Sequence, residues 1–325
     1  MSALTLVARR TWSWHRPLMI FVGLMAVLTA AAALGVLMDD RVLGGSPVWL
    51  KPFKFAVSFA IYGATIAWII SRMPDRRRWL WLLGTIIVVT SVIEIVIIVG
   101  QAARGTHSHF NVSTALNAAL WSTMAAAIVV LWLATLVIAA FAARRRFGDR
   151  PFTLAIRFGL VLALIGMALG FLMTVPTADQ LQAIESGSTS LAGAHSVGVV
   201  DGGPGLPVTA WSTTGGDLRV PHFVGMHALQ ALPLLSLLLA LPRLGLDERT
   251  RSRLVTAGAA GYLGLVGLLL WQALRGQPLI APDGWTLGAA TALFVAVGAL
   301  VVAILYRADP HSAGSASQKR GRLPR

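Results

Sequence analysis

The sequence predicts an all-α, polytopic integral membrane protein with eight transmembrane helices. The first observation is composition: 56% of the 325 residues are hydrophobic and only 12% are charged, which is less charge than soluble domains carry. The second is the recurrence of apolar stretches of about 20 residues, the length that spans a bilayer core. The third is an uneven distribution of basic residues among the connections, which gives every helix a consistent direction.

The apolar stretches define the eight elements in chain order. They cover residues 17–38, 52–71, 80–103, 114–142, 155–175, 221–241, 254–274 and 285–306. The first stretch follows Arg9, Arg10 and Arg16, as the apolar core of a signal peptide follows its basic residues. Its apolar run is too long for a signal peptide, so we interpret it as a retained helix.

The basic residues predict the side of the membrane on which each connection lies. With the N-terminus in the cytoplasm, the cytoplasmic segments hold 21 of the 27 Lys and Arg residues and the outer segments hold six. The positive-inside rule then places both termini in the cytoplasm, in a multi-pass protein of the inner (plasma) membrane. The same distribution explains the net charge of +14 without a nucleic-acid partner, since basic segments are attracted to anionic lipid.

One connection, residues 176–220 on the outer side, is long and rich in Gly, Ser, Thr and Pro. Within it, "TADQLQAIES" predicts a short helix with Thr177 as its cap. Loops of this length are usually functional lids or disordered, and the sequence leaves both interpretations open. Residues 309–325 predict a disordered, basic cytoplasmic tail.

Three short matches indicate an internal duplication of four helices plus four. They are "ALGVLM" (33–38) with "ALGFLM" (168–173), "KPFKF" (51–55) with "VPHFV" (220–224), and "QAARG" (101–105) with "QALRG" (272–276). The matches occur in the same order at equivalent helix ends. The halves would be 1–150 and 151–308, related by an axis along the membrane normal, because four crossings return the chain to its starting side.

Glu94 is the most informative polar residue, because a carboxylate at membrane depth costs several kcal/mol unless it is neutralised, paired or hydrated. One interpretation is a protonated glutamic acid that bonds a neighbouring helix. The other is a proton acceptor or ligand in an outward-facing cavity, with Lys54 as its cationic partner at comparable depth. Glu94 and Lys54 are therefore candidate catalytic residues.

Polar residues nearer the outer surface are candidates for binding an anionic group or substrate. Gln101 lies two helical turns after Glu94 on the same face, roughly 10 Å further out, and Arg104 follows it. Gln230 lies in the sixth helix. Amide and guanidinium groups of this kind bind carboxylates and phosphates.

Histidines provide the candidate metal or heme ligands, since the chain contains no cysteine. His222 and His227 lie at the start of the sixth helix, but a spacing of five places them about 140° apart around it. His107 and His109 form a second pair, with the spacing of an extended segment. The alternative for each is an ordinary hydrogen-bonded or solvated histidine.

The predicted architecture resembles that of heme A synthase in four respects. These are the eight helices arranged as four plus four, the cytoplasmic termini, the outer polar groups and the acid before a Gln-x-x-Arg-Gly turn. That resemblance implies heme ligated by histidines of the even-numbered helices in both halves. Here the second, fourth and eighth helices contain none, so it implies a ligand role only for His222 or His227. The stretch "QAARGTHSHFN" also resembles a family of bacterial eight-helix membrane proteins, which implies no activity.

These features favour an outward-facing, heme- or metal-dependent redox or cofactor-processing protein, which would be a membrane oxidoreductase. One alternative is an ion-coupled transporter or lipid-handling protein that binds a small anionic or lipid ligand. It ranks lower as a transporter because the fourth, fifth, seventh and eighth helices carry few ionisable groups. The other alternative is a non-catalytic assembly subunit of a membrane complex.

Reporter fusions test the predicted topology. Fusions after Arg78, Arg146 and Arg253 should report a cytoplasmic location, and fusions within 180–215 an extracytoplasmic one, because basic residues concentrate on the cytoplasmic side. A cytoplasmic signal from the long connection would contradict the prediction.

Overall fold

The computed structural model describes residues 11–186 and 190–308, so the predicted tail at 309–325 lies outside the described residues. Within them, eight helices are long and apolar enough to cross a membrane. They correspond one to one with the eight predicted segments. By the length and composition of these helices, the chain is a multi-pass helical membrane protein.

The described elements are mainly helical. The α-helices are α1 (Arg16–Met38), α2 (Leu50–Ser71), α3 (Arg77–Ala103), α4 (Ala115–Ala142), α5 (Arg150–Leu169), α6 (Ala178–Glu185), α7 (Arg219–Leu239), α8 (Glu248–Leu274) and α9 (Gly284–Ala308). Short 3-10 helices cover Pro74–Arg76, Gly170–Thr174 and Pro242–Leu244. Two antiparallel ribbons pair β1 (Val42–Leu43) with β2 (Ser46–Pro47) and β3 (Ser196–Val197) with β4 (Gly216–Asp217). Helix α6 lies in the long connection, and the other eight α-helices are the apolar spans.

Helices α5 and α8 begin more than one turn before the predicted apolar stretches. Each has an aspartate at its N-cap: the side chain of Asp149 accepts a hydrogen bond from the backbone N–H of Phe152, and that of Asp247 from Thr250. These caps satisfy backbone donors that the first turn leaves unpaired. A prediction based on apolar length misses the polar first turns.

Helix packing follows one pattern in each half. In the first half the packed pairs are α1 with α2, α2 with α3, α3 with α4 and α1 with α3. In the second half the corresponding packed pairs are α5 with α7, α7 with α8, α8 with α9 and α5 with α8. Helices α5 and α7 approach most closely, since a methyl group added to Gly225 would lie 2.6 Å from the Cα of Gly166. Small residues permit such close helix contacts in membranes.

The long connection covers the end of the bundle that we call the loop end, where α2 and α7 begin and α3 and α5 terminate. The predicted short helix in this connection is confirmed as α6, and its capping box joins Thr177 and Gln180. The β3–β4 ribbon and a bridge between Asn111 and Leu191 attach the connection to the rest of the loop end. The described part of the connection is therefore packed on the helices.

Candidate functional site

A cavity of about 800 Å³ lies at the loop end, among α2, α3, α4, α5, α7 and the long connection. This volume is within the range of small-molecule sites. The cavity brings together seven of the predicted site residues: Lys54, Glu94, His107, His109, His222, His227 and Gln230. Three charged side chains and one histidine also line it, which the sequence did not single out for a role: Lys51, Asp201, Arg219 and His195.

Glu94, His109 and Lys51 form a series of polar contacts that joins three parts of the fold. Glu94 is only 1% exposed, and its Oε1 lies 3.4 Å from Nε2 of His109. Nδ1 of His109 lies 3.0 Å from Nζ of Lys51. Because an ammonium group only donates, a protonated Lys51 makes Nδ1 the acceptor and leaves the ring proton on Nε2, next to Glu94. We call this series the Glu94–His109–Lys51 chain.

Aromatic rings enclose the imidazole of His109. Its ring centroid lies 5.7 Å from that of Phe55, 6.0 Å from that of Phe110 and 5.5 Å from that of Trp121. Burial, reinforced by the nearby charge of Lys51, holds the pKa of His109 well below its usual value. The imidazole is therefore neutral at pH 7, in the form that links an ammonium donor on one side with a carboxylate on the other.

The expected pairing of Glu94 with Lys54 is wrong. Nζ of Lys54 instead donates to the backbone carbonyl of Thr209 in the long connection, at 2.7 Å. The reason is that the segment after α3 turns back into the bundle and inserts His109 beside the carboxylate. Phe110 has a φ of 63°, a left-handed conformation that is uncommon for such a residue and that apolar patterning does not predict.

The second oxygen of Glu94 has no protein partner. Among the described residues, Oε2 is buried and makes no hydrogen bond. A buried acceptor without a partner costs about 1–3 kcal/mol. Glu94 also lines the cavity, so its carboxyl group combines a vacant acceptor with a position beside a space large enough for a ligand.

Two other histidines have one ring nitrogen bonded and the other without a partner. Nδ1 of His195 lies 2.8 Å from Oδ2 of Asp201, and Nδ1 of His222 lies 2.7 Å from the carbonyl oxygen of Gly166. Both partners only accept hydrogen bonds, so Nδ1 carries the proton and Nε2 is the acceptor. Neither Nε2 atom makes a hydrogen bond within residues 11–186 and 190–308.

The long connection fixes His195 through the carboxylate of Asp201. That carboxylate also accepts hydrogen bonds from the backbone N–H groups of His195 and Ser196. Burial raises the pKa of Asp201, but the hydrogen bonds outweigh burial and hold it below the usual range. Burial lowers the pKa of His195 despite the hydrogen bond that its Nδ1 donates to Asp201. At neutral pH the pair is a carboxylate and a neutral imidazole.

His107, His227 and Gln230 also lie at the cavity wall. Burial lowers the pKa of His107, which favours its neutral form. His227 is 3.3 Å from Oε1 of Gln230, and Nε2 of Gln230 donates to Oγ1 of Thr65 at 3.1 Å. Gln230 therefore joins α7 to α2 across the cavity, and His222 and His227 both reach the cavity despite their spacing of five residues.

Gln101 and Arg104 do not line the cavity. Nε2 of Gln101 donates to the side chain of Asn117 at 3.0 Å and to the backbone carbonyl of His107, and its Oε1 accepts from Arg104 at 2.6 Å. These bonds hold the turn that carries His107 and His109. The hydrogen bonds give both residues a structural role in this turn, outside the cavity that holds the other predicted site residues.

The donor groups do not match the cofactors considered from the sequence. The described residues contain no group of three or more His, Asp or Glu side chains that could hold a metal ion. His222 has a free Nε2, but α2 carries no histidine to oppose it. The paired heme ligation implied by the resemblance to heme A synthase therefore does not fit these residues.

The fold and cavity define a class: a multi-pass helical membrane protein with a polar, loop-covered site at one end of the bundle. Comparison of the chain with protein-family models, curated proteins and solved structures finds no match. The function is therefore inferred from the residues of the cavity.

Substitution of Lys51 tests the Glu94–His109–Lys51 chain. Lys51→Met removes the ammonium from which Nδ1 of His109 accepts, and with it the cation linked to Glu94; a hydrogen bond to a charged group contributes about 1.5–3 kcal/mol. Because Lys51 is only partly buried, we expect the lower end of that range. The double variant Lys51→Met/Glu94→Gln should recover most of the loss, since no buried charge remains.

The measurement is the apparent melting temperature of detergent-purified protein for both single variants and the double variant. Lys54→Met is the matched control, because Lys54 has no contact with Glu94. Adding Glu94→Gln to this control should not raise its melting temperature. Additive losses in the Lys51→Met/Glu94→Gln pair would show that the two side chains are not coupled.

Proposed function

We propose that this membrane protein binds one amphiphilic, lipid-like molecule in the cavity at the loop end. The observation that carries the proposal is the division of the cavity lining. One set of lining residues is apolar, including Phe55, Phe59, Met124, Trp132, Met167 and Met226. The other set is polar, including Lys51, Lys54, Glu94, His195, Arg219 and His222. An apolar body with a polar head is complementary to both.

The seam between the two halves supports access from the bilayer. Helices α4 and α5 meet less extensively than neighbouring helices within each half. Val129 on α4 and Phe171 after α5 line the cavity and are 41% and 38% exposed. Exposed apolar side chains at a loosely packed seam favour entry of an apolar molecule between α4 and α5.

The long connection supports enclosure of the polar head. Lys54 donates to the carbonyl of Thr209 at 2.7 Å, and Arg219 donates to the carbonyl of Ala210 at 2.6 Å. Two cations of the cavity thus hold adjacent residues of the connection over it. This arrangement favours the lid interpretation of the connection.

Lipid handling thereby ranks above the heme- or metal-dependent redox function that the sequence favoured. That function needs a set of metal or heme ligands, and the cavity offers single histidines with different partners. Amphiphile binding needs only an apolar wall and a polar end, which the cavity combines.

The proposal includes the duplication into halves 1–150 and 151–308. The matching packing of the two helix sets supports it, as do the two Gln-Ala-x-Arg-Gly turns. In each turn the glycine has a positive φ, 67° at Gly105 and 71° at Gly276. In each, Nε2 of the glutamine donates to the carbonyl six residues later, from Gln101 to His107 and from Gln272 to Pro278.

With the cytoplasmic termini favoured by the basic residues, the cavity faces the extracytoplasmic side of the inner membrane.

A cavity-filling variant tests amphiphile binding. Ser58 lies one turn below Lys54 and lines the cavity, whereas its neighbour Val57 does not. Native mass spectrometry of protein purified in mild detergent should detect about one bound amphiphile per chain in wild type and in Val57→Phe. Ser58→Phe should lose it, because the added ring occupies the cavity.

The paired variants separate cavity occupancy from lipid that adheres to the outer surface. Both add the same ring to adjacent positions of α2. Retention of the bound molecule in Ser58→Phe at the wild-type level, or its absence from the wild type, would contradict the proposal.

A further inference from the structure

Three hydrogen-bond acceptors without a protein partner belong to side chains at the polar end of the cavity. They are Oε2 of Glu94 and the Nε2 atoms of His195 and His222, judged over the described parts of the chain. They come from α3, the long connection and α7. Acceptors that the protein leaves vacant beside a cavity are available to the donors of a ligand, and an unpaired acceptor that is buried, as Oε2 of Glu94 is, gains most from such a bond.

The charges at the same end restrict the kind of donor. Lys51, Lys54 and Arg219 all line the cavity. Lys54, which is bonded to a backbone carbonyl and makes no ion pair with a described carboxylate, would repel an ammonium head. Hydroxyl groups donate hydrogen bonds without adding charge, so they satisfy the vacant acceptors at no such cost.

An anionic head is also less suitable than a hydroxylated one. Arg219 is paired with Asp217 at 2.6 Å, and Lys51 is linked through His109 to Glu94. Asp201 adds a further negative charge beside His195. Each carboxylate at this end is thus matched by a cation or a hydrogen-bonded histidine, and an uncharged head keeps that balance.

Resting on the proposed function, we propose that the bound amphiphile has an uncharged, hydroxylated head, and that Oε2 of Glu94 accepts a hydrogen bond from one of its hydroxyl groups. His195 and His222 accept from other hydroxyls through Nε2. Lys54, whose hydrogen bond to the protein uses one of its three N–H groups, donates to an ester or ether oxygen that links the head to the apolar body.

The Glu94–His109–Lys51 chain explains why one carboxylate oxygen is vacant. Nε2 of His109 lies on the side of Oε1, at 3.4 Å, so the ionised form of Glu94 has Oε2 free to accept a hydrogen bond from a ligand. A protonated Glu94 would instead donate from Oε2 and would select a ligand with acceptor oxygens alone. Whether the cavity prefers a ligand with hydrogen-bond donors or one with acceptors alone therefore distinguishes the ionised form of Glu94 from the protonated form.

A matched pair of probes tests the inference: 1-decanoylglycerol, which has two free hydroxyls, and its di-O-methyl ether, which has none. Native mass spectrometry titrations should give wild-type protein about tenfold tighter binding of the hydroxylated probe, because the ether leaves the acceptors unpaired. Thr90→Val is the control variant. It removes another buried polar group of α3, one turn from Glu94, that does not line the cavity, and it should keep the preference.

Two substitutions of Glu94 sharpen the test. Glu94→Met removes the acceptor and should reduce the preference to about two- to threefold. In Glu94→Gln the amide oxygen faces the Nε2 proton of His109, so the amide NH₂ takes the place of Oε2 and donates. That variant should bind the ether probe at least as well as the hydroxylated one. If Glu94→Met does not fold, the isosteric Glu94→Gln variant still tests the role of Glu94, because it retains binding in the cavity.

The outcomes separate this inference from the proposed function. Equal binding of both probes, or tighter binding of the ether by wild type, overturns the hydroxylated head and leaves amphiphile binding intact. An unchanged preference in Glu94→Gln overturns the role of Glu94. Failure of both probes to bind, together with no bound amphiphile in purified wild type, overturns both the inference and the proposed function.

Discussion

The buried carboxylate of Glu94 imposes the constraint on which the rest of the site depends. At 1% exposure it has almost no access to water, and a charge in that position needs a cation or a polar network. The protein supplies this cation as Lys51, which is linked to Glu94 through the imidazole of His109. This link draws the segment after α3 into the bundle and fixes it against α2. The cavity lies beside this arrangement, and Oε2 of Glu94 is vacant because His109 approaches the carboxyl group only from the side of Oε1.

The covering loop depends on the same end of the cavity. Lys54 and Arg219 hold the carbonyls of Thr209 and Ala210, within a segment where Val208 and Ala210 adopt left-handed φ values of 64° and 55°. Such conformations cost of order 1–3 kcal/mol each for residues other than glycine. The loop therefore maintains a strained segment through bonds to cations that line the cavity, so a ligand that engages these cations would also change how firmly the loop is held.

Much of the fold was predictable and much of the site was not. Hydropathy identifies all eight spans because each must satisfy the same bilayer thickness, and the cost of a buried acid singles out Glu94. The partner of Glu94 depends on the left-handed turn at Phe110, and that of His195 on a carboxylate six residues away in a glycine-rich loop. Neither contact follows a helical or strand period. Gln101 and Arg104 look like ligand-binding groups by residue type, but their hydrogen bonds are used within the turn that they support.

Photo-crosslinking tests the central claim, a lipid-like molecule inside the cavity, most directly. A decanoylglycerol analogue with a diazirine at the end of its acyl chain would be bound to detergent-purified protein, irradiated, and mapped by peptide mass spectrometry. The account predicts labelling of cavity residues such as Phe59, Met124 and Met167, at about one label per chain and suppressed by excess unlabelled 1-decanoylglycerol. Labelling confined to exposed residues of the outer surface, such as Val27 and Phe294, without competition, would contradict it.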